Sequence, residues 1–108
     1  MNKTYNLNNY LESNEEFPVI IIGEDVFTVI DTVENKLEFQ KQVAKNPNDL
    51  MALYTIAFGS KEKAQKLIDK NLRVKNADTI FVALWGIFNG KSFEEAKEFF
   101  RILNQKKK

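Results

Sequence analysis

Two stretches of the chain, residues 49–58 and 79–88, are apolar around almost a full helical circumference. In the first, Leu50, Leu53, Tyr54 and Ala57 share one side at helical spacing, with Met51 and Phe58 outside it. In the second, Ile80, Ala83, Leu84, Ile87 and Phe88 form one face, and Phe81, Val82 and Trp85 continue around the other. A helix that is apolar all round must be covered all round. One such helix can sit at the centre of a small bundle. Two are harder to bury in 108 residues, because a chain of this length hides only about 65% of its unfolded surface and builds one core. Two readings stay open. Both helices lie inside the monomer's own core, or part of this apolar surface meets another protein chain. The candidates for such a contact are Met51, Phe58, Phe81, Trp85, Phe99 and Phe100, with Trp85 and the Phe99-Phe100 pair as preferred anchors, since large aromatics dominate interface energetics.

The remainder of the pattern places these helices in an α+β fold. Phe17-Pro18-Val19-Ile20-Ile21-Ile22 is β-branched and opened by a proline, which predicts a strand. Gly23-Glu24-Asp25 has turn chemistry, and Val26-Phe27-Thr28-Val29-Ile30 predicts its antiparallel partner. A lone hairpin is marginal and needs helices over one face. Asp31 or Thr32 can cap the next helix, with Val33, Leu37, Gln40 and Ala44 along one side, and Asn46-Pro47-Asn48 breaks it. Gly59 suits a left-handed C-cap for the helix before it, and Ser60 opens a short helix through Ala64, Leu67 and Ile68. Asn76 or Asp78 is the expected cap of the second apolar helix, and Asn89-Gly90-Lys91 closes it. Ser92 with Glu95 spells a capping box for a last helix striped by Phe93, Ala96, Phe99, Phe100 and Leu103. The expectation is an N-terminal antiparallel β-hairpin packed on a mainly helical bundle of about five helices. It occupies residues 17–105, between a polar arm at 1–16 and a basic tail at 106–108.

Ser60-x-Glu62-x-Ala64-x-x-Leu67-Ile68 and Ser92-x-Glu94-x-Ala96-x-x-Phe99-Phe100 echo each other at a spacing of 32. Shared capping grammar accounts for such an echo, and so does a duplicated αα-hairpin. Two copies do not decide between them.

Chemistry is harder to find. The chain has no cysteine and no histidine, so thiol nucleophiles, disulfides, structural zinc sites and the commonest acid–base group at neutral pH are absent together. Glu15-Glu16, Glu24-Asp25 and Glu94-Glu95 are adjacent carboxylates. Neighbours on a helix point apart, and acids at a helix start favour the macrodipole. Gly23 and Gly59 stand alone, without a glycine-rich phosphate cradle. No enzyme activity, cofactor or metal is expected. Sixteen basic against fifteen acidic residues leave a charge of +1, and the Lys106-Lys107-Lys108 run has no interleaved aromatics, so no nucleic acid is expected as a partner. A DNA-reading helix-turn-helix would need a polar, basic recognition helix, and residues 79–88 are almost wholly apolar. The first residues lack a signal peptide's apolar core, and the longest apolar runs fall far short of the roughly 20 residues that span a bilayer. A protein that stays in the cytoplasm, off the membrane, is expected.

The order of elements resembles that of the tail assembly chaperones of long-tailed bacteriophages and prophages of Gram-positive bacteria. The segments that carry the likeness are Pro18 to Val29, then Leu50-Met51-Ala52-Leu53-Tyr54-Thr55-Ile56-Ala57-Phe58-Gly59-Ser60-Lys61-Glu62-Lys63-Ala64. Ile80 to Gly90 and the acidic helix with Phe99-Phe100 follow. The likeness covers roughly residues 17–105 and lies in order and texture, with no catalytic signature. Family members often begin at the strand itself, so the 16-residue leader is a departure. The resemblance implies a homo-oligomer that coats the tape measure protein, recruits tail tube (major tail) subunits in the host cytoplasm and is absent from the mature virion. It also implies a longer form made by frameshifting near the gene's end. The alternative from the residues alone is a small helical adaptor or regulator acting by protein–protein contact.

Overall fold

The computed structural model describes residues 3–8, 11 and 16–106. An antiparallel pair, β1 (Val19–Ile22) and β2 (Asp25–Thr28), is followed by five helices, giving an α+β fold. The helices are α1 (Val33–Lys45), α2 (Leu50–Phe58), α3 (Lys61–Ile68), α4 (Val74–Phe88) and α5 (Phe93–Lys106).

The strands are shorter than the β-branched runs suggest. Ile22 pairs with Asp25, so the connection is the two-residue Gly23-Glu24, and Asp25 belongs to β2 and not to the turn. Gly23 has φ +63°, the value that a two-residue hairpin of type II′ asks of its first central residue. Period-two alternation then splits the hairpin. Phe27 is buried and Ile20 and Ile22 half-buried on one face, while Val19, Ile21 and Val26 stand exposed on the other.

Helix starts follow the capping residues, with one exception. Thr32 accepts from the Asn35 N–H at 3.1 Å, Asp49 from Ala52 at 3.1 Å and Ser60 from Lys63 at 3.2 Å. Ser92 and Glu95 form the expected reciprocal box. The Glu95 N–H donates to the Ser92 hydroxyl at 3.1 Å, and the Ser92 N–H donates to Glu95 Oε1 at 2.9 Å. The exception is α4, which begins at Val74, ahead of Asn76 and Asp78, and whose N-cap Arg73 makes no side-chain cap bond. Its apolar face carries the helix through a weak start.

The face of α1 also differs from expectation. Val33, Leu37, Gln40 and Ala44 are exposed, and the buried side is centred on Phe39 with Val43 half-buried. Phe39 is the largest apolar side chain of α1, and its ring meets Phe88 at 4.8 Å and Phe81 at 6.0 Å between centroids. That contact outweighs a stripe of smaller residues.

The core gathers Phe27 and Val29 from the hairpin side, Phe39, then Leu53, Tyr54, Ala57 and Phe58 of α2. Ala64 and Leu67 of α3 and Ile80, Leu84 and Phe88 of α4 complete it. At the junction of hairpin, α1 and α2, the Ile30 N–H donates to the Ala57 carbonyl at 2.9 Å. The Asn35 carboxamide donates to the carbonyls of Ile30 at 2.8 Å and Ile56 at 2.6 Å. On the other flank, Asp25 of β2 pairs with Lys66 at 3.1 Å and Lys70 at 2.5 Å. In the polar arm Tyr5, Leu7 and Leu11 are exposed, and Tyr10 lies outside the described residues. Lys107 and Lys108 of the basic tail are also outside them.

Candidate protein-interaction surface

The six aromatic and methionine candidates separate into core and surface. Phe58 is 5% exposed and lies between Phe27 and Tyr54, with centroids at 5.1 and 5.9 Å, so it offers nothing to a partner. The hairpin returns over the end of α2 and covers the position that helical spacing set outside the buried face. Met51 is half-buried and borders a shallow groove with Lys61, Glu62 and Gln65 of α3.

The other four belong to one aromatic cluster. Phe81 runs from Phe39 in the core to Phe100 on α5, at 6.0 and 6.2 Å. Trp85 stacks on Phe99 at 4.5 Å and meets Phe100 edge-on at 5.1 Å, and Phe99 and Phe100 touch at 5.3 Å. The cluster forms because α5 lies along the side of α4 next to the one that meets Phe39, with Phe81 at the border of the two. Close approach is set by Gly86, where an added Cβ would come within 3.0 Å of the Ala96 Cβ. Four aromatics are thereby partly covered within one chain.

The cover stops part way around α5. Ala96 is fully buried and Phe100 half-buried, yet Phe99 is 45% exposed, and Phe93, Ile102 and Leu103 are open to a similar degree. Phe99 and Trp85 edge a groove of ≈ 500 Å³ whose other walls are Lys91, Glu94, Glu95 and Glu98. Charged residues frame this strip in pairs one turn apart, Lys97 with Glu94 at 3.4 Å and Arg101 with Glu98. The Ser92 backbone N–H, and then its hydroxyl, hold the Glu95 carboxyl below the usual carboxylate range, and the Arg101 guanidinium does the same for Glu98. Both stay ionised through the neutral range.

A second apolar groove, of ≈ 390 Å³, lies between the α1–α2 connection and α4, lined by Pro47, Leu50, Leu72, Val74, Ala77 and Phe81. The hairpin's outer face adds Val19, Ile21 and Val26, with Phe17 exposed beside them. Single exposed apolar residues are ordinary, whereas contiguous ones mark contact surfaces. Ile102 and the outer hairpin residues escaped the sequence reading. Strand alternation about Phe27 carries a signal for the outer hairpin face, whereas nothing in the local pattern tells which side of α5 lies open.

Among the described residues no group of three or more carboxylates could hold a metal ion, and no helix is long and apolar enough to cross a membrane. Comparison with family models, with curated proteins and with solved structures returned no match.

Proposed function

We propose that the chain is a non-enzymatic protein-binding domain that serves as a tail assembly chaperone. In that role it coats the tape measure protein in the host cytoplasm, recruits tail tube subunits and is left out of the finished virion. The observation that carries the reading is apolar surface left over after a core has been filled. Val19, Ile21 and Val26 stand on the outer hairpin face, and Phe93, Phe99, Ile102 and Leu103 stand on α5. The choice of client is supported by the resemblance of residues 17–105 to that chaperone family, and by nothing narrower.

The mechanism is reversible burial of apolar area, at roughly 25 cal/mol per Å² removed from water. Each patch is small, so one copy holds a client weakly. Several copies along a long client multiply those contacts by effective concentration. Two apolar patches suit such an array, because one can face the client while the other faces a neighbouring copy. The test is co-expression of the full chain with a fragment of the tape measure protein encoded beside it. The fragment should remain in the supernatant only when the chain is present. Precipitation with and without the chain would sink the reading, and binding to one short partner without affinity for the long client would favour an adaptor instead.

A further inference from the structure

The two helical hairpins of the fold, α2–α3 and α4–α5, give an internal comparison. Each has an alanine buried at the same place, Ala64 and Ala96, four residues after the capping serine. Three residues further on they part. Leu67 is 0% exposed, and its equivalent Phe99 is 45% exposed. Leu67 lies in the core cluster with Phe27 of β2, and beside it Asp25 of β2 pairs with Lys66 and Lys70. On α5 the same flank carries Glu98, Phe99 and Ile102, where the Trp85 ring of α4 covers one face of Phe99 and leaves Phe99 and Ile102 exposed.

We infer that this flank of α5 is covered by α5 of a second copy of the chain, packed antiparallel. The charge order along the helix selects that occupant. The first seven residues of α5 hold three glutamates, Glu94, Glu95 and Glu98, against the one cation Lys97, and the last seven hold Arg101 and Lys106 with no acid. Antiparallel packing about a two-fold axis sets each acidic half against the other copy's basic half and opposes the two helix dipoles. The apolar residues follow the same symmetry. Glu95, Phe99, Ile102 and Lys106 recur at i, i+4, i+7 and i+11, so an axis midway between Phe99 and Ile102 puts each against the other. The outer hairpin face is a poorer occupant, because Glu16, Glu24 and Asp31 lie around it and Glu95 and Glu98 would meet them with like charge.

Phe99, Ile102 and Leu103 are 45, 41 and 36% exposed and together offer about 250 Å². That is well under the ~800 Å² per partner of a standard interface, so the pair is weak and concentration-dependent. Its use in the function rests on the chaperone reading, whereas the contact itself rests on α5.

The chain's lack of cysteine makes the register measurable. Full-length Phe99→Cys and Ile102→Cys chains are mixed in equal amounts and oxidised mildly, and sedimentation of the unmodified chain is followed over concentration. The mixed 99–102 disulfide should exceed the half share that random pairing gives. The unmodified chain should pass from monomer to dimer, and Ile102→Glu should weaken the dimer by roughly tenfold or more with its circular dichroism unchanged. A chain that stays monomeric at millimolar concentration overturns the inference, and so does a 99–99 or 102–102 disulfide in excess. A dimer that survives Ile102→Glu but dissociates with Ile21→Glu places the contact on the hairpin and also overturns it. No client is present in these measurements, so they bear on α5 and leave the tape measure reading to its own test.

Discussion

Asn35 is the side chain whose removal should reveal most about how hairpin and helices are joined. Its carboxamide donates both hydrogens, to the Ile30 carbonyl at 2.8 Å and the Ile56 carbonyl at 2.6 Å, and so ties the exit of the hairpin to the last turn of α2. Each such bond contributes about 0.5–1.5 kcal/mol net, so Asn35→Ala forfeits about 1–3 kcal/mol. Alanine's better helix propensity returns about 0.5 kcal/mol. The expected net loss is about 1.5 kcal/mol, or a fall in Tm of about 6–12 °C for a domain of this size. Urea denaturation followed by far-UV circular dichroism measures it, with the m-value unchanged if the native fold is kept. The sharper comparison is Asn35→Asp. An aspartate in the first turn of an exposed helix is ordinarily favourable by about 0.3–1 kcal/mol, because it faces the positive end of the dipole. Here it would aim a carboxylate at two carbonyl oxygens and supply no donor. The order of stability should be Asn above Ala above Asp. An aspartate chain as stable as the alanine chain would show that the two bonds contribute nothing and that the junction is held by packing alone.

Three further perturbations follow from the same structure. Tyr54 is buried, its hydroxyl has no hydrogen-bond partner among the described residues, and burial pushes its pKa up. Tyr54→Phe should therefore stabilise the chain by about 1 kcal/mol in urea melts. It should also flatten the loss of stability as pH rises above 10.0, since the folded chain holds that proton to higher pH than the unfolded one. Gly86→Ala should push α5 off α4. The gain of about 1 kcal/mol in helix propensity is exceeded by overpacking of about 1–3 kcal/mol against Ala96, and adding Ala96→Gly should recover the near-native fluorescence of Trp85. Lys70 and then Lys66 hold the Asp25 carboxyl below its usual 3.8, so its contribution is present above that pH and fades as pH falls further below it. Asp25→Asn should lower stability at neutral pH and leave a flatter acid limb, and an unchanged limb would show that the two lysines do not hold β2 on α3.

Features that depend on a few neighbouring residues were legible in the sequence. The hairpin, the Asn46–Asn48 break, the Ser60 cap and the Ser92–Glu95 box each follow from local backbone chemistry, and each stands near its expected place. What sequence could not supply was which side of a helix meets which neighbour. In α1 a plausible stripe of Val33, Leu37 and Ala44 lost to the single ring of Phe39, because the deciding contacts are with Phe81 and Phe88, some 40 to 50 residues away in sequence. Asn35 drew no notice as an ordinary first-turn residue, since the carbonyls it serves belong to β2's exit and to α2. Phe58 failed as a surface candidate for the same reason. Its cover comes from the returning hairpin, which helical periodicity does not see.

The echo between residues 60–68 and 92–100 shows how far one local pattern can lead to different ends. Both segments start on a capping serine and both bury an alanine against the preceding helix. The first then buries Leu67 in the core, with Lys66 and Lys70 clasping Asp25. The second has Glu98 where the first has Lys66, and Ile102 where it has Lys70. Asp25 of β2 would meet like charge at Glu98 on that flank, and it already pairs with Lys66 of α3 and with Lys70. The same substitution of charge that keeps the hairpin away gives α5 an acidic half to set against a basic one. Exclusion of one cover and selection of another therefore rest on the same residues. The aromatic surplus of α4 and α5 is absorbed in part by Trp85, Phe99 and Phe100 stacking on one another, and the strip through Phe99 and Ile102 is what remains to be covered from outside.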